Sequence, residues 1–85
     1  MAPTTVNIRK RQATARQNLA INLVAMRRLR GWSQEDLALE AELHRTFVAH
    51  VERGARNIAL DNIEKLAAAL GVETYRLLMP RTSED

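Results

Sequence analysis

Few side chains in this 85-residue sequence could do covalent chemistry. Cysteine is absent, which removes a thiolate nucleophile, a disulfide framework and a thiolate metal site together. The two histidines, His44 and His50, are too few for a structural zinc site without cysteine, so no metal is expected. The only serines are Ser33 and Ser83, and no nucleophile–base pair, paired-carboxylate pocket or phosphate-cradling loop can be read around them. What remains is charge. Residues 1–30 carry Arg9, Lys10, Arg11, Arg16, Arg27, Arg28 and Arg30, a charge of +7 with no acid, while residues 31–85 carry a net −4, leaving +3 overall. One end of the chain is a polycation, which points to a polyanionic partner, although basic tails are often simply solvated. These residue types suit a cytoplasmic binding protein without a cofactor better than an enzyme.

Such groups need a scaffold. At 46% hydrophobic and 27% charged, the sequence fits one small globular domain, too balanced in charge to be disordered and marginal enough that a partner subunit would help. No 18-residue apolar run exists, so no transmembrane helix is expected, and the basic N-terminus has no apolar stretch before Leu19 of the kind a secretory signal needs. Pro3 and Pro80 are the only prolines, and Gly31, Gly54 and Gly71 each follow a helix-like segment, where glycine stops a helix in the left-handed conformation. The sequence therefore predicts an all-α fold. A first helix covers roughly 14–30, with Leu19, Leu23 and Met26 on one face. A second starts after Ser33, which can cap it while Asp36 reaches back. A third runs from about Arg45 to Arg53 with Val48 and Val51 inward and His44 as a weak cap. A fourth spans about 60–70, and a short fifth about 73–78. Residues 1–13 read as a basic arm, 14–79 as the domain and 80–85 as a polar tail.

Two short helices joined by a tight turn make a helix-turn-helix. The stretch SQEDLALEAELHRTFVAHVERG, Ser33 to Gly54, resembles that of the Cro/repressor (xenobiotic-response-element) family of DNA-binding proteins. The family pattern is carried by Met26-Arg27, Gly31-Trp32-Ser33-Gln34-Glu35, Leu37-Ala38, Val51-Glu52-Arg53-Gly54 and Leu66-Ala67 to Leu70-Gly71-Val72, so the resemblance covers about Leu19 to Leu78. Within the family, HRTFVAHVERGARN is similar to the reading helix and following loop of restriction–modification controller proteins. The resemblance implies a compact five-helix, lambda-repressor-like domain. Two positions depart from it. Glu42 stands where the family usually has a turn glycine, at a cost of roughly 1–2 kcal/mol if the residue is left-handed. Ala59 stands where relatives tend to have a serine cap.

A helix-turn-helix places its second helix in the major groove, with the N-terminal residues at base edges. With Val48 and Val51 inward, Arg45, Thr46, Ala49 and His50 face outward as base-reading candidates. Arg45 can donate twice to one guanine, worth about 1–3 kcal/mol of discrimination. Thr46 can bond a base or touch a thymine methyl, Ala49 permits close approach, and His50 lies one turn below Thr46. Each could otherwise be plain surface. Gln34, Phe47, Arg53, Arg56 and Asn57 are the backbone-contact candidates. Gln34 sits at a helix N-terminus that favours phosphate, and Phe47, lacking a hydroxyl, could only pack against sugar or a methyl group, or else cover the turn. The resemblance implies an internal ion pair between Arg27 and Glu52, with Trp32 at the core edge.

One reading helix covers too few base pairs for genomic selectivity, whereas a two-fold dimer reads a palindrome. Surplus apolar residues near the C-terminal end make Ile63, Tyr75, Leu77, Leu78 and Met79 the interface candidates, where many family members dimerise. The expected partners are double-stranded DNA, a second copy of the chain and, as a further candidate, RNA polymerase, with no membrane or small-molecule ligand. The basic arm could follow phosphates, lie idle or extend the first helix. The leading expectation is a dimeric transcription regulator. The competing one is an antitoxin or adaptor-type interaction module on the same fold, and an enzyme is a distant third.

Overall fold

The computed structural model describes residues 13–55 and 57–81. Residues 1–12 and 82–85, and hence most of the expected arm and tail, lie outside the described residues, as does the backbone-contact candidate Arg56. Among the described residues there are four α-helices and no strand: α1 (Ala15–Leu29), α2 (Gln34–Ala41), α3 (Arg45–Glu52) and α4 (Leu60–Leu70), followed by a single 3-10 turn, Thr74–Leu77.

Local sequence explains most of the boundaries. Thr14 starts α1 through a capping box: its hydroxyl accepts from the Gln17 N–H at 3.1 Å and the Gln17 side chain accepts from the Thr14 N–H at 2.8 Å. Ser33 and Asp36 make the same reciprocal pair at α2, at 3.0 and 2.9 Å, so two orphan donors are satisfied at each start. At α3 the acceptor is a ring nitrogen, His44 Nδ1, 3.1 Å from the Thr46 N–H. Ala59 has extended dihedrals and no side-chain hydrogen bond, leaving α4 uncapped.

The turn between α2 and α3 is three residues long and depends on Glu42, which adopts φ 59° and ψ 43°. This left-handed geometry lets the Leu43 N–H return to the Ala38 carbonyl at 2.8 Å. A residue with a Cβ holds a conformation that costs about 1–2 kcal/mol, and the turn is nevertheless wound as a glycine turn would be.

The core joins all four helices and the 3-10 turn. Leu19, Leu23, Leu37, Val48, Val51, Leu66, Leu70 and Leu77 are fully buried, with α1 against α3, and α2 against both α3 and α4. Trp32, Phe47 and Leu78 pack on its edge. Two buried residues are polar. Asn22 of α1 donates its amide to the carbonyls of Leu77 and Met79, both at 2.9 Å, and of Arg76 at 3.3 Å, while Asn18 donates to Leu78 O at 3.1 Å. This explains why residues 73–78 form one 3-10 turn rather than the expected fifth α-helix. The segment between Gly71 and Pro80 is too short to sustain a helix alone, and its carbonyls are held by α1 side chains.

Because Ala59 already has cap dihedrals, Ala59→Ser should stabilise the domain by about 1 kcal/mol. The measurement is the urea midpoint at unchanged slope, and an unmoved midpoint would show that a hydroxyl adds nothing at this helix start.

Candidate nucleic-acid interface

The sequence-derived candidates converge on one side of α3, with unequal access. Val48 and Val51 are buried beneath the helix. Arg45 and Thr46, in its first turn, are exposed. Ala49 and His50, expected to face fully outward, are half-buried, because α3 is short and its second turn is flanked by neighbouring elements. The free end of the helix therefore offers a guanidinium and a hydroxyl together, beyond a cap made by His44.

The backbone-contact candidates divide similarly. Arg53 is exposed at the end of α3, and Asn57 is exposed on the loop leading to α4. Asn57 accepts a hydrogen bond through Oδ1 from the Arg16 guanidinium of α1. Phe47, for which contact with sugar or a methyl group and cover of the turn are both open in the sequence, is half-buried and packs against the core, a fitting place for a phenyl group with no hydroxyl to offer. Gln34 stands at the first position of α2, and its amide is already turned inward, donating to Glu52 Oε1 at 2.9 Å.

Glu52 is the centre of that inward network. Arg27 reaches across from α1 and donates Nε to Oε2 at 2.7 Å and Nη2 to Oε1 at 2.9 Å, a two-pronged pairing. Its remaining arm, Nη1, donates to the Trp32 carbonyl at 3.0 Å. The side chains are 11% and 4% exposed, so the pair is largely withdrawn from water. Hydrogen bonding to Glu52 is the main cause that raises the Arg27 pKa above the ordinary guanidinium value, against the opposing effect of burial.

The interface candidates near the C-terminal end also separate. Ile63 and Leu77 are 6% and 0% exposed, because both side chains fill the core of this chain, and neither is available to a second copy. Tyr75 and Met79 are 62% and 46% exposed, and Leu78 is half-buried. Among the described residues no group of three or more His, Cys, Asp or Glu could hold a metal ion, and no helix is long and apolar enough to cross a membrane.

Sequence reasoning missed Asn18 and Asn22, whose signal was two amides four residues apart beside the Leu19–Leu23 stripe. It also missed Arg30, which donates to the carbonyls of Met26 and Leu70 and so caps the ends of α1 and α4 together, with its guanidinium 5.8 Å from the Trp32 ring centre. The Arg16–Asn57 contact, 41 residues apart in sequence, left no local signal.

Residues 23–77 match the model of a family described as Helix-turn-helix. The crystal structure of the hypothetical transcription factor NHTF from Neisseria is similar to this chain, with 57% identity and a TM-score of 0.75, covering 76% of this chain and 75% of that one. Control protein C.BamHI of Bacillus amyloliquefaciens is 59% identical over 46 residues, 54% of this chain and 57% of that protein. The restriction–modification controller protein C.Esp1396I, solved as a tetramer with its natural 35 base-pair operator, is 26% identical with a TM-score of 0.70, covering 79% and 92% of the two chains. The chain spans under three fifths of the length of the first curated relatives it matches, 58% and 57%.

Removing the acid from a largely buried pair leaves a guanidinium without its counter-charge. Glu52→Gln should cost about 3 kcal/mol in chemical denaturation, and the double variant Arg27→Met with Glu52→Leu should recover most of it. A double variant as unstable as the single one would show that the shape of the fork matters more than its charge.

Proposed function

Because the chain belongs to the helix-turn-helix family, whose relatives include transcription regulators and restriction–modification controllers, we propose that it is a sequence-specific regulator that binds double-stranded DNA as a homodimer on a palindromic operator, in the manner of a restriction–modification controller. The observation that carries this reading is the exposed first turn of α3, where Arg45 and Thr46 project from a helix whose opposite face is locked into the core.

In this reading the first turn of α3 enters the major groove. Arg45 donates two hydrogen bonds to O6 and N7 of a guanine, and Thr46 bonds a base or meets a thymine methyl. Ala49, small and half-buried, lets the helix approach closely, and His50 contributes at the groove wall. Arg53, Asn57 and Arg56 supply backbone contacts that set the pose. Gln34 is a lesser contributor, since one of its amide hydrogens serves Glu52, and Phe47 acts only through packing. The second copy joins through Tyr75, Met79 and the exposed part of Leu78, placing two reading helices about one turn of DNA, roughly 34 Å, apart. Support for the assembly comes from C.Esp1396I, which was solved as a tetramer on its operator. Such a protein works in the cytoplasm on nucleoid DNA, with RNA polymerase as its partner where it activates. Regulation by occupancy of a site needs no catalytic group and no cofactor.

Selection from a random duplex library near physiological salt should enrich a palindrome with half-sites about 10 bp apart. On that duplex Arg45→Ala should lose about 1–3 kcal/mol of specific affinity while binding to unrelated duplex barely changes. Equal losses on both would make Arg45 a phosphate contact, and no enrichment would favour a partner-binding role for this fold.

A further inference from the structure

Among the described residues, three of the four helices receive a side-chain cap, and the caps are not chemically alike. Thr14 and Ser33 offer hydroxyl oxygens to the starts of α1 and α2, and a hydroxyl accepts a hydrogen bond at any ordinary pH. The start of α3 is held instead by His44, whose Nδ1 accepts from the Thr46 N–H at 3.1 Å. A ring nitrogen accepts only while it is unprotonated, so this bond requires the neutral imidazole with its proton on Nε2. His44 is exposed, and protons from solvent reach it directly.

The cap has little to support it. α3 is eight residues long, too short to hold together without its contacts. Its first turn carries no acid, and Arg45 brings a cation to the positive end of the helix dipole. Full burial begins only at Val48, the fourth residue of the helix. The end that carries the exposed Arg45 and Thr46 thus rests on the His44 bond more than on the core. Protonation of His44 removes the acceptor and sets a second cation beside Arg45, and both effects loosen the first turn.

The charged groups around this end are Arg45 and His50 on α3 itself, Glu42 in the turn and Glu40 in the last turn of α2. Glu35 and Asp36 lie in the first turn of α2, Asp36 returning to Ser33. On α1, Arg16 serves Asn57, and Arg27 and Arg28 stand by Glu52 at the opposite end of α3. Among the described residues His44 makes no ion pair.

We propose that His44 is a positioning residue for base reading that works only as the neutral imidazole, so that sequence-selective binding weakens as the ring protonates while unselective binding does not. This rests on the reading of α3 as the groove-facing helix. Without its cap the first turn frays in the free chain, and the duplex has to bind the ordered fraction. Contacts that depend on the direction of Arg45 and Thr46 lose affinity, whereas phosphate attraction, which gains a cation, does not.

Affinity for the duplex that selection yields is measured at fixed salt between about pH 7.5 and 5.5, the range in which histidine ordinarily gains its proton. The second histidine, His50, and the terminal amine are kept in every variant. Each value is taken relative to His44→Asn, whose amide oxygen caps at every pH. Wild type should lose affinity about three- to five-fold relative to His44→Asn as the pH falls. Its preference over a random-sequence duplex should narrow at least as much. His44→Ala should show the same deficit already at the neutral end and keep it throughout. Wild type and His44→Asn following one another across the range overturns the proposal. A gain in wild-type affinity toward acid also overturns it, and so does an Asn variant as weak as the Ala variant at the neutral end, since either result makes the ring a direct DNA contact.

The free wild-type chain gives a test without variants or DNA. In NMR hydrogen exchange the Thr46 amide should be protected while the His44 ring is neutral and lose that protection as the ring protonates. A Thr46 amide indifferent to the ring overturns the proposal. If selection yields no sequence, the reading of α3 as groove-facing fails, while the coupling of Thr46 to His44 is still decided in the free chain, so the two failures are told apart.

Discussion

The two-pronged contact between Arg27 and Glu52 is the constraint on which the placement of α3 rests. Its acid stands at the last residue of α3 and its base in the last turn of α1, while the third guanidinium arm holds the Trp32 carbonyl and the same carboxylate receives Gln34. One ion pair thereby ties the end of the first helix, the turn after it, the start of the second helix and the end of the third. A partly buried pair of this kind contributes specificity of packing more than net stability, because desolvation offsets much of the attraction. That suits its position. Apolar packing by Val48 and Val51 holds α3 onto the core, but apolar contacts tolerate small rotations. A fork with fixed donor directions does not, so the angle at which Arg45 leaves the surface is set from the opposite end of its own helix.

The far side of the domain is closed by a different device. Asn18 and Asn22 project from α1 and take up the backbone carbonyls of residues 76–79, while Arg30 satisfies the carbonyl ends of α1 and α4. A small core needs such closure. With 85 residues, the domain has little apolar area to bury, and unsatisfied polar groups at its helix ends would cost as much as several buried methyl groups contribute. Among the described residues, no buried side-chain nitrogen or oxygen lacks a hydrogen-bond partner.

How far the sequence could be read follows from the range of the forces involved. The starts of α2 and α3 were legible because caps act over two or three residues, as with Ser33 and Asp36. The left-handed turn at Glu42 was legible only through family resemblance, since nothing intrinsic to glutamate asks for it. The winding of residues 73–78 was not legible, because it is decided by an amide 55 residues upstream. Ile63 and Leu77 show a second limit. Periodicity marks a residue as apolar and face-sorted, but the core of one chain and the seam between two have the same composition, and only packing assigned these two to the core. The Arg45–Thr46 end of α3 followed from the inward positions of Val48 and Val51, whereas the partial covering of Ala49 and His50 came from neighbours that a helical wheel does not contain.

The amide grip of Asn18 and Asn22 addresses only main-chain oxygens. It would hold the segment from Arg76 to Met79 in the same way whatever side chains that segment displayed. Anchorage and outward identity are thus inherited separately. Exposed positions such as Tyr75, Arg76 and Met79 can change from one descendant to the next without loosening the segment that bears them, while Leu77, which faces inward, cannot. The face that this segment displays can thus diverge while the frame that positions α3 is kept unaltered.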